Sequence, residues 1–283
     1  GMNSQVQMSL GNFAPKTVSV GDLFAGAFIP GMLLVVVYIL YILFKAVVDP
    51  ESCPATPVAP EERKGLGREL LVALVPPLLL IVAVLGSILG GIATPTEAAG
   101  LGVTGALLLI IANRTISWRL LYESLLSTVR VTAMTLLILI AAFYLNFVVG
   151  ILGIPGQISR TMTQLTIEPW QMVLILVIFY VALGCFLDSL AMMIATIPIV
   201  FPIVQAIGYD PLWFGIFLVV MCEIALITPP VGMNIYVVQA VRGRGSVGTV
   251  IAGVLPFLGC MFALVALMTV LPEMVTWLPN TMR

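Results

Sequence analysis

Residues 23–44 (LFAGAFIPGMLLVVVYILYILF) carry no charge at all. A helix needs about 20 mostly apolar residues to cross a bilayer, and this run supplies them. Similar runs recur along all 283 residues, so charges are sparse enough to mark the breaks between them. A transmembrane barrel would alternate apolar and polar residues instead. Hydrophobic residues make up 61% of the chain and charged ones 9%, against about 25% charged in soluble domains. A water-soluble enzyme and a disordered chain are therefore excluded. Twelve Lys+Arg against 13 Asp+Glu leave no basic surface for nucleic acid. There is no histidine, hence no imidazole catalysis, ligation or pH switch. What remains is an all-α polytopic membrane protein.

The charges divide the chain into segments. A polar amino-terminal segment covers 1–21, a first membrane helix 22–48, and a polar loop 49–69 with Pro50, Pro54, Pro57 and Pro60. Membrane helices fill 70–150, with an interfacial helix expected over 115–129, where Trp118, Leu121, Leu125 and Leu126 share one face. An amphipathic connector follows over 151–169, then an apolar stretch over 170–207, another over 211–241, and a final membrane helix over 245–277. This gives about seven or eight membrane helices. The polar start carries no signal-peptide pattern, and the late entry into the membrane leads us to expect a fragment of a longer protein.

Basic residues favour the cytoplasmic side. With 49–69 inside, Lys45, Arg63, Lys64, Arg68, Arg114, Arg119, Arg130, Arg242 and Arg244 all fall on that side, provided 170–207 goes in and returns. Lys16, Arg160 and Arg283 fall outside, and the carboxyl terminus is expected there too.

Breaks at mid-depth carry the functional signal, because freed backbone groups survive in lipid only beside protein or a water-filled cavity. The strongest is Ile227-Thr228-Pro229-Pro230-Val231-Gly232-Met233-Asn234. The two prolines offer no N–H, so the carbonyls of Ala225 and Leu226 lose their helical donors. Thr228 is pushed from the α region by the proline after it, and Gly232 permits a turn. Two half-helices would face free carbonyls, the Thr228 hydroxyl and the Asn234 amide, an all-oxygen set suited to a hard cation such as Na⁺. The alternative is a proline kink satisfied by neighbouring helices. A second break lies at Gly184-Cys185-Phe186-Leu187-Asp188-Ser189-Leu190-Ala191. Its arms are short for full spans, which favours a re-entrant hairpin with its tip near Asp188. Two ordinary spans with a solvated Asp188 is the competing arrangement.

Glu223, in the middle of an apolar run, either holds a cation or a proton or pairs with an Arg or a backbone group. Thr94, Pro95 and Glu97 read as a capping box; Asp210 and Pro211 read as an N-cap and N1 pair. Cys53, Cys185, Cys222 and Cys260 have no metal-ligand spacing, and three lie in apolar runs as small buried hydrophobes.

Several of these segments resemble the large membrane subunit of TRAP (tripartite ATP-independent periplasmic) transporters. Gly91-Ile-Ala-Thr-Pro-Thr-Glu-Ala-Ala99 is similar to its GxxTPTEAA segment. Gly184 through Asp188, Pro198 and Pro202 to Gly208-Tyr-Asp-Pro211 resembles its second helical hairpin. Leu226-Ile-Thr-Pro-Pro-Val-Gly-Met-Asn234 resembles its LxTPPVGxN motif, and Val20-Gly-Asp-Leu-Phe24 with Pro30-Gly31 fits the start of its second half. The resemblance implies a sodium-coupled importer of an organic anion, usually a carboxylate such as a C4-dicarboxylate, in the bacterial inner membrane. A periplasmic substrate-binding protein and a small four-helix membrane subunit would be its partners. It implies one repeat of an inverted-repeat elevator, with the first repeat missing and the carboxyl terminus periplasmic. Sodium is the expected coupling ion, with no cofactor and no ATP motif. Asp188, Ser189 and Ala191 at the hairpin tip, and Thr228, Pro229, Gly232 and Asn234 at the break, are the residues this likeness assigns to ion and substrate. Two other classes compete: an unrelated channel, and an intramembrane enzyme pairing Asp188 with Glu223.

Overall fold

A computed structural model describes residues 19–50, 66–154, 156–157, 168–187, 189–229, 232–243 and 245–282. Most of the polar start, loop residues 51–65, connector residues 158–167, Cys53, Asp188, Pro230, Val231, Arg160, Arg244 and Arg283 lie outside the described residues. The described residues form helices α1 (Val20–Val48), α2 (Leu66–Leu89), α3 (Pro95–Ala112), α4 (Trp118–Ile151), α5 (Pro169–Gly184), α6 (Ser189–Ala206), α7 (Pro211–Ile227), α8 (Met233–Arg242), α9 (Val247–Val270) and α10 (Glu273–Thr281), with no strand among them. Six are long and apolar enough to cross a membrane: α1, α2 from Glu69 on, α3, α4, α6 and α9; α5 and α7 are shorter apolar helices. The polytopic all-α class holds.

Two compact units divide the chain, one formed by Leu40–Val131 and one by Gly1–Ile39 with Thr132–Arg283. In the first, α2 and α3 pack against each other. Gly105 makes that approach possible, since a Cβ there would meet the Leu80 side chain. Thr94 is the N-cap of α3. Its hydroxyl oxygen accepts from the Glu97 N–H at 3.4 Å, while the Glu97 carboxylate accepts from the Thr94 N–H at 2.8 Å.

Residues 118–151, read as an interfacial helix to 129 and a separate span from 131, form one helix instead. The physical reason lies in the sequence: no proline stands between Trp118 and Ile151, and no glycine before Gly150. An amphipathic face and an all-apolar face then follow one another without a breaker.

The larger unit is organised around α7. Eleven of its residues are buried, from Leu212 and Trp213 to Ile224 and Ala225. A helix apolar all round is a core helix, and α5, α6, α8, α9 and α10 all pack on it. Asp210 caps its start, accepting from the Leu212 N–H at 2.8 Å, with Pro211 at the first helical position. Aromatic rings run along it: Tyr209 stacks on Trp213 at 4.1 Å, and Trp213 on Phe217 at 5.3 Å. Phe217 meets Tyr180 of α5 edge-on. The buried polar groups of Trp213 and Tyr180 are satisfied. The Trp213 Nε1–H donates to the Met268 carbonyl at 2.8 Å, and the Tyr180 hydroxyl pairs with Thr196 at 2.9 Å. Along α1, Leu23, Ala27, Leu33, Leu34 and Tyr38 pack against the same core.

Trp213 is 0% exposed, so its replacement leaves both a cavity and an orphan carbonyl. Trp213→Ala is expected to destabilise the protein by about 3–5 kcal/mol, read as a fall in the thermal unfolding midpoint in detergent. Trp213→Phe, which keeps most of the volume, is expected to lose only about 1–3 kcal/mol for the unpaired Met268 carbonyl.

Candidate functional site

At Ile227 the central helix stops. Thr228 takes an extended conformation (φ −87°, ψ 127°), as the proline after it requires. Its hydroxyl turns back and donates to the Ile224 carbonyl at 2.6 Å, and Thr228 is 8% exposed. The Ala225 carbonyl, expected to be free, is not: the Thr228 N–H donates to it at 3.3 Å, three residues on. This tighter turn replaces the helical donor that Pro229 lacks. Gly232 then folds back on the break. Its N–H donates to the Thr228 carbonyl at 3.1 Å. A Cβ on Gly232 would lie 2.9 Å from Ile235 Cδ1 and 3.0 Å from the Thr228 oxygen, so the close approach requires glycine. From there α8 begins at Met233.

The hairpin tip comes to the same place. α5 ends at Gly184, and α6 begins at Ser189. A Cβ on Gly184 would overlap the Ala225 methyl and stand 3.2 Å from Ala225 Cα. The hairpin therefore seats on α7 one turn before the break. Cys185 Sγ donates to the Pro229 carbonyl at 3.6 Å, and Cys222 Sγ of α7 donates to the Ser189 carbonyl at 3.8 Å. Ser189 Oγ is buried with no hydrogen-bond partner among the described residues. The seam thus brings Gly184 to Ala225, Cys185 to Pro229 and Ser189 to Cys222.

Other candidates stand apart from this seam or outside it. Asp188, at the tip, lies outside the described residues. Ala191 is half-buried in the first turn of α6, Leu226 is half-buried, and Gly232 is buried. Asn234 is exposed on α8. Glu223 is exposed on the same face of α7 as Val219, makes no ion pair among the described residues, and lies within electrostatic reach of Tyr38. Asp210 is at the far end of α7, roughly 26 Å away at about 1.5 Å per residue. A cavity of about 300 Å³ there is lined by Asp210, Trp213, Glu273 and Asn280 and includes no break residue. Thr94 and Glu97 belong to the Leu40–Val131 unit as its cap. Among the described residues no three Cys, Asp or Glu side chains converge as metal ligands.

Sequence reasoning missed Gly184, Cys185 and Cys222. All three lie within or beside the broken motifs. A glycine at a helix end reads equally well as a cap, however, and a cysteine in an apolar run as a small hydrophobe.

Residues 8–274 match the family described as tripartite ATP-independent periplasmic transporter, DctM component. The chain belongs to that family. It is 34% identical to the C4-dicarboxylate TRAP transporter large permease protein DctM of Pseudomonas aeruginosa, over 94% of this chain and 61% of the relative. It is 30% identical to the sialic acid TRAP transporter large permease protein SiaM of Vibrio cholerae, over 94% of this chain and 61% of that protein. It is 32% identical to the isethionate TRAP transporter permease protein DctMQ of Oleidesulfovibrio alaskensis, over 69% and 31%. The chain thus spans about three fifths of the length of the first two relatives. All three are permeases and not enzymes.

If the hairpin seats on α7 through Gly184, then Gly184→Ala is expected to destabilise the protein by about 1–3 kcal/mol through overpacking. Adding Ala225→Gly should recover most of that loss. A double-mutant cycle of unfolding midpoints measures it, with a coupling energy above about 0.5 kcal/mol expected for groups in contact.

Proposed function

We propose that this chain supplies one hairpin and one broken helix to the transport site of a sodium-coupled TRAP permease. The observation that carries the reading is the seating of the hairpin tip on the helix break, Gly184 against Ala225 and Cys185 against Pro229. Two elements that each interrupt a helix meet through Gly184 and Ala225, Cys185 and Pro229, and Ser189 and Cys222. Half-helix ends lining a cavity are where secondary transporters hold their ions and anionic substrates.

Sodium is the ion proposed for this donor set, because hydroxyl, carbonyl and carboxylate oxygens suit a hard cation. Ser189 Oγ brings unused lone pairs. The Thr228 hydroxyl, donating to Ile224, keeps its own lone pairs outward. Asp188, Ala191, Leu226, Gly232 and Asn234 complete the proposed set, and Glu223 is its acid at mid-helix. The named substrates of the relatives, a C4-dicarboxylate, sialic acid and isethionate, are all organic acids. An organic anion is accordingly the cargo proposed here.

The proposed setting is the bacterial inner membrane, with the carboxyl terminus in the periplasm. α5, at 16 residues, is about 24 Å long against a hydrocarbon core of about 30 Å. That length favours a hairpin that enters and returns. A periplasmic binding protein would deliver the anion. A small four-helix subunit and the remaining repeat of the large subunit would complete the complex, which moves as an elevator.

The test is uptake into proteoliposomes by the complete complex with its binding protein. Thr228→Ala and Asn234→Ala are each expected to reduce sodium-driven uptake at least about tenfold, a barrier change of about 1.4 kcal/mol or more. Wild-type rates in both variants would overturn the site. Flux without the binding protein would overturn the tripartite reading in favour of a channel or a stand-alone carrier.

A further inference from the structure

The Pro229 carbonyl takes its hydrogen bond from a thiol, and that choice of donor has functional content. Cys185 Sγ lies 3.6 Å from it. Cys222 Sγ lies 3.8 Å from the Ser189 carbonyl. The two contacts run in opposite directions across one seam, one from hairpin to break and one from α7 to hairpin, and Gly184 meets Ala225 beside them. Both distances are normal for sulfur, whose radius exceeds that of nitrogen or oxygen.

A carbonyl in an apolar seam cannot be left without a partner. Nor can it be tied to a strong donor if a cation must later claim it. A thiol meets both demands, because S–H is a weak donor. Ser189 Oγ, on the hairpin side of the seam, is buried with no hydrogen-bond partner among the described residues. Cys185 is only half-buried, so its side chain has room to turn, whereas Cys222 is buried.

We propose that Cys185 is a stand-in donor: it caps the Pro229 carbonyl while the seam is empty of ions, yields that carbonyl to sodium, and so sets the sodium affinity. This rests on the sodium reading above. When the ion arrives, the carbonyl lone pair turns to the cation and the S–H rotates away. The sulfur keeps its hydrogen and no covalent bond changes. Cys185 is a positioning residue here, acting through Pro229 rather than on the ion. Removing the thiol removes the ion's competitor, so sodium should bind more tightly to the variant than to wild type.

The experiment is sodium titration of uptake by the complete complex in proteoliposomes, with Cys185→Ala beside wild type. The half-saturating sodium concentration is expected to fall about two- to fivefold, while the substrate KM at saturating sodium stays within twofold. The same leftward shift is expected in sodium-induced thermal stabilisation of the purified complex. An unchanged or raised half-saturating sodium concentration in the variant would overturn the proposal while leaving the sodium reading intact. Wild-type uptake that ignores sodium would remove the sodium reading, and the proposal with it.

Infrared difference spectroscopy keeps the idea testable should Cys185→Ala fail to assemble. In Cys53→Ser/Cys260→Ala protein, exchanging potassium for sodium should move an S–H stretching band to higher frequency as its hydrogen bond is lost. No S–H difference band would overturn the proposal.

Discussion

Backbone carbonyls left without donors inside an apolar core are the constraint on which this structure turns. Pro229 and Pro230 remove two helical donors from α7, and a bilayer offers no water to replace them. Three local devices answer that loss. The Thr228 N–H reaches back to Ala225, the Thr228 hydroxyl reaches back to Ile224, and the Gly232 N–H reaches back to Thr228. The Pro229 carbonyl takes a hydrogen bond from another element, from Cys185 of the hairpin. The hairpin therefore does more than pack against the break; it supplies a donor there.

That closeness depends on side-chain size. Gly184 and Ala225 are both small, and any Cβ on Gly184 would collide with Ala225. Gly232 meets the same demand on the other side of the break, where a Cβ would press on the Thr228 oxygen. Large residues stay further along α7, where Trp213, Phe217 and Tyr180 fill the core and each buried polar atom of Trp213 and Tyr180 has a partner. One end of the central helix is built rigid from rings. The other is built from small residues and backbone carbonyls.

The helical class and the helix breaks after Gly184 and at Thr228 were legible because charge and proline report directly on what a bilayer tolerates. The cap at Thr94 was legible because its residues act over one turn. The continuity of α4 was misread, since a change from amphipathic to uniformly apolar pattern marks a change of surroundings rather than a break in the backbone. The meeting of Gly184 with Ala225 could not be read at all. Those residues stand 41 positions apart, and nothing in the local pattern of either says which surface it will touch. The cysteines were passed over for a related reason: the role of a thiol depends on the carbonyl opposite it, and that carbonyl is fixed only by tertiary packing.

Glu223 shows how the same physics reaches beyond the residues described. α7 is covered almost everywhere, yet Val219 and Glu223, four apart on one face, are exposed. A carboxylate within a membrane helix is costly unless protein or water faces it. Tyr38 is within electrostatic reach, but no basic group pairs with Glu223 among the described residues. A face bearing such an acid cannot rest against lipid tails alone. The acid is thus a constraint on what can lie against α7.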